Sequence, residues 1–244
     1  MHLKNDLQNS IVQVGKVGEN MVKKILQITS STSKNSGVMS VIMNYYRNIN
    51  TKKIQFDFLA IMTSNYSYEN EIKNLGGSIF ITPPIKKTYS FLKYIFKFFK
   101  EHNDYIAVHL HTAWLNALIF PIAKRNGINN TIIHSHTTKY SDKKTSGLRN
   151  KILCIPLKKN STHLMACSNA AAEFWYGKNS VSKDEVYILN NAIDLEKFQY
   201  SLNTREKVRK ELSISDKFII GHVGRFNEPK NHEFLIEIFN EILK

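Results

Sequence analysis

The sequence predicts a doubly wound α/β fold, in which a parallel Rossmann-like sheet is covered by helices on both faces. Two observations lead to this prediction. Short apolar runs rich in β-branched residues alternate with amphipathic segments, and the apolar runs are hydrophobic at nearly every position. Strands buried on both faces by helices show this continuous pattern, whereas half-exposed strands alternate. In such sheets ligands bind beyond the carboxyl ends of the strands.

The first predicted strand is KKILQITS, which is followed by the loop STSKNSG and by a helix over VMSVIMNYYRNI. Six more strands are predicted, with helical patterns between most of them. They cover residues 54–61, 78–82, 104–111, 130–136, 162–168 and 185–191. The clearest intervening helices are SFLKYIFKFFKEH, TAWLNALIFPIAKRNG and SNAAAEFWYG. Apolar residues recur in them at helical spacing.

The pattern divides the chain into four stretches. Residues 1–21 are polar and predict a poorly structured extension, with Met21 as an alternative start. Residues 22–195 predict one complete Rossmann-like domain, and residues 196–216 predict a connector with a charged helix. Residues 217–244 contain a strand, FIIGHVG, and an amphipathic helix, NHEFLIEIFNEILK. One βα unit is too small for a domain, so we interpret it as the beginning of a second one.

The charge balance points to anionic partners. The formal net charge is +14, which favours nucleotide phosphates, nucleic acid or an anionic membrane, although a generally basic composition explains it equally well. Cys154 and Cys167 form no CxxC motif and fit reduced thiols in a cytoplasmic protein. The sequence has no apolar run of membrane-spanning length and no signal-peptide pattern, so a cytoplasmic location is predicted.

Two predicted strands end in HxH motifs, His109 with His111 and His134 with His136. Residues two apart on a strand share a face, so the pairs are expected to converge at the carboxyl edge. Three interpretations stay open: a zinc site, hydrogen bonds to a polyhydroxylated substrate with one histidine in an acid–base role, or capping of strand ends. No cysteine or glutamate accompanies the histidines at a ligand spacing, so no metal site is predicted. His109 and His134 are the expected structural pair.

Two loops carry residues suited to phosphate. In SSTSKNSGV the chain enters a helix N-terminus, where backbone N–H groups can bind an anion and Gly37 permits close approach. Taken alone, this loop is better explained as an ordinary turn. In GHVGRFNEPKNHEF, Arg225 follows a strand and Lys230 precedes a helix. A guanidinium and an ammonium beside helix N–H groups suit a diphosphate, which we favour over a solvated basic turn.

Residues 90–102 predict a helix with Lys93, Lys97 and Lys100 on one stripe and apolar residues over most of the rest. Such a helix could lie in a membrane interface with its lysines on anionic headgroups. Burial on the sheet with the lysines outward is the more common arrangement and is favoured. Peripheral contact with an anionic membrane through residues 90–102 is kept as a prediction. Nucleic acid is not predicted as a partner, because no motif interleaves aromatic with basic residues.

Six stretches, taken in order, resemble the family-4 type of GT-B glycosyltransferases, in particular bacterial enzymes of capsular and exopolysaccharide biosynthesis. They are ILQITSSTSKNSGVMSVIMNYYRNI, VHLHTAW, IIHSHT, LMACSNAAAEFWYG, ILNNAIDLEKF and IIGHVGRFNEPKNHEFL. They extend over nearly all of residues 22–244, and the last is the most specific. The resemblance implies two Rossmann-like domains facing a cleft. The N-terminal domain would bind the acceptor and the C-terminal domain the nucleotide-sugar.

The resemblance also implies roles for individual residues. Arg225 and Lys230 match the basic pair that contacts the donor's diphosphate and stabilises the leaving group, so they are expected to be catalytic and to bind the donor. His136 matches a histidine beside the transferred sugar and is the third expected catalytic residue. His111, His136 and Asn191 form the expected substrate-binding set, in which Asn191 belongs to a segment that orders the domain connection.

Two features depart from the family's pattern. Gly37 matches the glycine-rich turn over the diphosphate, but the usual Gly-Gly is Ser36-Gly37 here. The paired glutamates that the family carries far beyond the basic pair are not in this sequence. We therefore expect a chain truncated within its C-terminal domain.

The implied function is retaining transfer of a sugar from a nucleotide-sugar to a polysaccharide or lipid-linked acceptor. No DxD motif occurs, so neither a metal nor another cofactor is expected. The expected place is the cytoplasm, with peripheral attachment to the inner face of the membrane. The alternative is a non-catalytic acceptor-binding module or an inactive truncated fragment.

Overall fold

The computed structural model describes residues 21–141, 144–224, 226 and 230–244. The chain divides into two compact units, of which the first ends at Asp194 and the second is Leu195–Lys244. Apart from Met21, the extension predicted at the N-terminus lies outside the described residues.

The first unit is built on a seven-stranded parallel sheet in the order β3-β2-β1-β4-β5-β6-β7. The strands are β1 (Lys23–Ser31), β2 (Ile54–Met62), β3 (Ile79–Ile81), β4 (Ala107–Leu110), β5 (Thr131–Ser135), β6 (His163–Ala166) and β7 (Val186–Ile188). All seven strands predicted for this unit are confirmed. The strand order reverses between β1 and β4, and doubly wound sheets bind ligands at such a switch point.

Eight α-helices and one short 3-10 helix, Ala113–Leu115, are described in this unit. The α-helices are α1 (Gly37–Asn48), α2 (Glu69–Asn74), α3 (Thr88–Glu101), α4 (Asn116–Arg125), α5 (Lys144–Leu153), α6 (Leu157–Asn160), α7 (Asn169–Tyr176) and α8 (Lys178–Ser182). The amphipathic patterns correctly predict α1, α3, α4 and α7. The other four are short or mostly polar, so they lack the apolar periodicity that would predict them.

Two cores lie on opposite faces of the sheet. Along β1, Ile25 packs with residues of α1, whereas Leu26 and Ile28 pack with residues of α3, α4 and α7. The strands are therefore buried from both sides, which explains their nearly continuous apolar sequence. Aromatic side chains fill much of both cores, with Tyr46 and Phe58 on the α1 face and Phe99 on the other. Burial of each such side chain stabilises the fold by roughly 1.5–3 kcal/mol.

Helix α3 buries one face and exposes its lysines. Its buried residues are Phe91, Ile95, Phe98 and Phe99. Lys93, Lys97 and Lys100 are exposed, as predicted for a helix packed on the sheet. Phe96 and Tyr89 are also exposed, by 49% and 78%, so two aromatic rings accompany the lysines. Neither α3 nor any other helix of the described ranges has the length and hydrophobicity needed to span a bilayer.

The second unit contains helices α9 (Leu202–Glu211) and α10 (His232–Ile242). The strand predicted over residues 218–224 is not formed, since all these residues are described and none is in a strand or a helix. Backbone groups of a strand need a hydrogen-bonded neighbour, and the described part of this unit contains no second strand to supply one. Apolar side chains alone therefore gave a wrong prediction here.

Candidate active site

The four histidines of the HxH motifs lie together on one face of the sheet. His109 and His134 are inside β4 and β5, and His111 and His136 directly follow these strands. The parallel register places His111 beside His134, and strand alternation puts all four on the face that carries α1. The predicted convergence at the carboxyl edge is confirmed.

The four imidazole rings lie against one another, two from each strand. Within the motifs, ring centroids are 4.3 Å apart for His109 and His111 and 4.1 Å apart for His134 and His136. Across the strands, the rings of His111 and His136 are 5.1 Å apart and those of His109 and His134 are 5.4 Å apart. The rings of His109 and His134 are nearly parallel, at 6°.

A chain of hydrogen bonds runs through the outer pair and ends on a glutamine. Nδ1 of His111 lies 2.9 Å from Nε2 of His136, and Nε2 of His111 lies 2.8 Å from Oε1 of Gln27. Both ring nitrogens of His111 therefore have partners within the protein. Gln27 is only 2% exposed and pairs in register with His109. The sequence reading missed Gln27, whose only signal is an amide inside the apolar strand KKILQITS.

The inner pair, His109 and His134, has fewer hydrogen-bond partners than the outer pair. His134 is 2% exposed, and neither of its ring nitrogens has a hydrogen-bond partner among the described residues. Nε2 of His109 is also buried without a partner there. Such groups cost free energy, because water that solvated them in the unfolded chain has not been replaced.

Burial keeps all four rings neutral. Loss of water around the imidazole lowers the pKa of His136 to about 4. Burial, and as a smaller cause repulsion from His136 once it is protonated, lowers the pKa of His109 to about 3. The pKa values of His111 and His134 are well below 6.5, first because of burial and then because neighbouring imidazolium ions repel each other. At neutral pH the cluster therefore offers hydrogen-bonding nitrogens and no positive charge.

Neutral imidazoles are good metal ligands, and ring nitrogens of His109, His111 and His134 lie within 4.8 Å of one another. The planes of these three rings are inclined to one another by 6° to 41°. The absence of a metal from the site stays a prediction.

Helix α7 holds the chain on both sides of His136. The hydroxyl of Ser135 is hydrogen-bonded to that of Tyr176 at 2.7 Å. On the other side, Nε1 of Trp175 donates to the carbonyl oxygen of Thr137 at 2.6 Å. His136 is thus fixed at the edge of the sheet although it lies beyond the end of β5.

The first loop brings the N-terminus of α1 to the carboxyl end of β1. Ser36 caps the helix by accepting from the backbone N–H of Met39, and no acidic residue lies in the first turn. The space around Gly37 is open, because a Cβ added there would meet no atom within 4 Å. Free N–H groups at an uncrowded helix start are suited to an anion.

Asn191 follows β7, and its side chain is exposed. The backbone on each side of it is attached to α1. The amide of Asn44 donates to the carbonyl oxygen of Ala192 at 2.8 Å, and the hydroxyl of Tyr45 donates to that of Asn190 at 2.5 Å. Asn191 therefore occupies a segment whose position is set by the helix of the first loop.

The predicted basic pair belongs to the second unit. Arg225 lies outside the described residues, and Lys230 is exposed. Lys230 directly precedes Asn231, whose side chain caps α10 by accepting from the backbone N–H of Phe234. Lys230 is thus an exposed cation at the start of a helix.

Comparison with known sequences gives two findings. The family model for Glycosyltransferase Family 4 matches residues 36–197. A protein of Bacillus subtilis (strain 168), "Putative glycosyltransferase EpsF", is 31% identical over 223 residues. These cover 88% of this chain but 57% of the relative, so the chain spans little more than half the length of this protein.

Solved structures show the same fold. The Anabaena protein Alr3699/HepE, in complex with UDP and glucose, gives a TM-score of 0.65 at 14% identity, over 90% of this chain and 58% of that one. Its complex with UDP-glucose gives a TM-score of 0.63 at 13% identity, over 89% of this chain and 57% of that one. At this level of identity the likeness concerns the fold.

Proposed function

The chain belongs to Glycosyltransferase Family 4, and on this basis we propose that it transfers a sugar from a nucleotide-sugar donor to a polysaccharide or lipid-linked acceptor. One observation carries the proposal: the residues matched by the family model, 36–197, include the N-terminus of α1 and both HxH motifs. The resemblance of the six stretches supports a role in capsule or exopolysaccharide biosynthesis. UDP-glucose is the first donor to test, since the HepE structure contains it.

The open N-terminus of α1 is the proposed contact for the donor's diphosphate in the first unit. Its free N–H groups carry partial positive charge, and the missing side chain at Gly37 lets a phosphate oxygen approach the backbone. No carboxylate in the first turn opposes the anion.

His136 is the proposed contact for the transferred sugar. Its pKa of about 4 makes it neutral at physiological pH, so it acts through hydrogen bonds to hydroxyl groups. A neutral ring does not neutralise the departing diphosphate. The positive charge for that step must therefore come from elsewhere.

Arg225 and Lys230 are the proposed source of that charge. When the bond between the sugar and the diphosphate breaks, negative charge grows on the diphosphate oxygen, and two fixed cations stabilise it. With both cations in place, departure needs no bound metal. We further propose that transfer retains the configuration at the anomeric carbon, as the family resemblance implies.

The exposed face of α3 is the proposed point of attachment to the inner face of the membrane. Tyr89 and Phe96 would enter the interface while Lys93, Lys97 and Lys100 contact anionic headgroups. A cytoplasmic enzyme bound in this way would meet a lipid-linked acceptor at the membrane surface that carries this acceptor.

A second candidate function is a non-catalytic module that binds the acceptor. It is favoured by the coverage of the Bacillus subtilis relative, of which 43% has no counterpart in this chain (100% less the 57% covered). Such a module would bind the acceptor without turnover.

The test measures UDP release from UDP-sugars with lipid-linked and polysaccharide acceptors. Two proteins are compared: the 244-residue chain, and a chimera that joins it to the part of the relative that it does not match. Turnover by the chain itself would exclude the non-catalytic module. Turnover by the chimera alone would assign the enzymatic function to the longer protein, and the anomeric configuration of the product then tests retention. Failure of both, across nucleotide-sugars, would refute the proposed transfer.

A further inference from the structure

We propose that Gln27 and His111 are positioning residues that set the tautomer of His136, so that Nδ1 of His136 accepts a hydrogen bond from a hydroxyl group of the sugar substrate. The role toward a sugar rests on the proposed function. The hydrogen-bond chain that produces it is a property of the first unit alone.

Gln27 determines which atom donates in each of these hydrogen bonds. An amide oxygen only accepts, so Oε1 of Gln27, 2.8 Å from Nε2 of His111, requires a hydrogen on that nitrogen. A neutral imidazole carries one ring hydrogen, which leaves Nδ1 of His111 as an acceptor. Nε2 of His136, 2.9 Å away, must then donate to it. Nδ1 of His136 is left with its lone pair.

Two features keep this direction stable. Burial lowers the pKa values of both histidines, so neither ring gains the second proton that would make both of its nitrogens donors. The hydrogen bond between the hydroxyls of Ser135 and Tyr176 and the one that Trp175 donates to Thr137 hold the chain on both sides of His136. The tautomer of His136 is therefore decided by a residue on β1, two strands away from β5.

This tautomer determines which group His136 recognises. A nitrogen with a free lone pair attracts the hydrogen of a hydroxyl and repels a phosphate or carbonyl oxygen. His136 would thus bind a sugar hydroxyl and not the diphosphate of the donor. If the amide of Gln27 were turned so that its NH2 group faced His111, the ring nitrogens of His111 and His136 would exchange their donor and acceptor roles. Nδ1 of His136 would then be a donor.

The decisive experiment is ¹⁵N NMR of the histidine rings in the 244-residue chain at neutral pH, with the signals of His136 identified by their loss in His136→Gln. The expected spectrum shows Nε2 of His136 protonated and Nδ1 unprotonated. Protonation at Nδ1 in the unmodified chain would overturn the proposal. The measurement on the unmodified chain needs no turnover, so its failure is distinct from failure of the proposed function.

Gln27→Met supplies the matched variant, because methionine has a similar size and accepts hydrogen bonds only weakly. We expect His136 to become a mixture of tautomers in it. Tyr105→Phe is the control: it removes a buried hydrogen bond to Asp57 and should leave the tautomer of His136 unchanged. An unchanged tautomer in Gln27→Met would contradict the role of Gln27. In the active protein, Gln27→Met should lower kcat/KM about tenfold, the equivalent of one hydrogen bond, without weakening the binding of UDP.

Discussion

Replacing His134 with leucine is expected to leave the first unit as stable as before or more stable, whereas the same change at His111 should destabilise it. The two histidines are neighbours in the same cluster, and burial lowers the pKa of each well below 6.5. They differ in their partners: both ring nitrogens of His111 are hydrogen-bonded, and those of His134 have no partner among the described residues.

The sizes of the two effects follow from these partners. Leucine has nearly the volume of histidine, so neither change opens a large cavity. At position 134 the change removes two buried polar atoms, which should stabilise the protein by about 1–3 kcal/mol. At position 111 it leaves Gln27 and His136 each without a partner, which should cost about 2–4 kcal/mol.

The cluster also predicts sensitivity to acid. Above the ordinary histidine pKa of 6.5, folded and unfolded chains are both neutral at these positions, and stability does not depend on their titration. The folded pKa values are lowered, to about 4 for His136 and about 3 for His109. As the pH falls below 6.5 the unfolded chain therefore binds more protons, and stability is lost toward pH 4. Each histidine contributes ~1.4 kcal/mol per pH unit, so four give roughly 5 kcal/mol per unit.

Urea unfolding at pH 7.5, 6.0 and 5.0 checks both parts of this prediction. His134→Leu should unfold at higher urea than the unmodified chain at pH 7.5 and should lose about a quarter less stability per pH unit below 6. The m-values must agree for the comparison to hold. If His134→Leu were destabilised as much as His111→Leu, the nitrogens of His134 would have to be satisfied, and the reasoning would be refuted.

Three further predictions concern other parts of the chain. Tyr105→Phe should lower the free energy of unfolding by about 2 kcal/mol, because it removes the hydroxyl that donates to the buried carboxylate of Asp57 at 2.9 Å. An unchanged midpoint of thermal unfolding would contradict this. Lys230→Ala should lower kcat about 100-fold in whichever protein shows turnover, the chain or the chimera. The control Lys217→Ala, at another exposed lysine of the second unit, should have little effect. Equal effects on kcat would argue against a contact of Lys230 with the leaving group. Lys93→Glu combined with Lys97→Glu should abolish sedimentation with vesicles containing anionic lipid, and binding that persists in the double variant would exclude α3 as the attachment.

Much of the fold could be predicted from the sequence, because it depends on local patterns. Continuous apolar runs and amphipathic segments predicted all seven strands of the first unit and four of its helices. The spacing of each HxH motif also placed its two histidines on one face, since side chains alternate along any strand. The same pattern failed at residues 218–224, where strand formation depends on a neighbour and not on apolar side chains alone.

The sequence by itself determined the layered α/β architecture, the strand ends that carry histidines and the family to which the chain is related. Only the tertiary structure decided which partners these histidines have and that they are neutral. Register between β1, β4 and β5 brings Gln27 to His111 and His111 to His136, although 84 and 25 residues separate the members of these pairs along the chain. Burial, which depends on helices packed on the sheet, then lowers their pKa values and makes them neutral. Hydrogen-bond partners and solvation are properties of the folded neighbourhood, and residue spacing does not encode them.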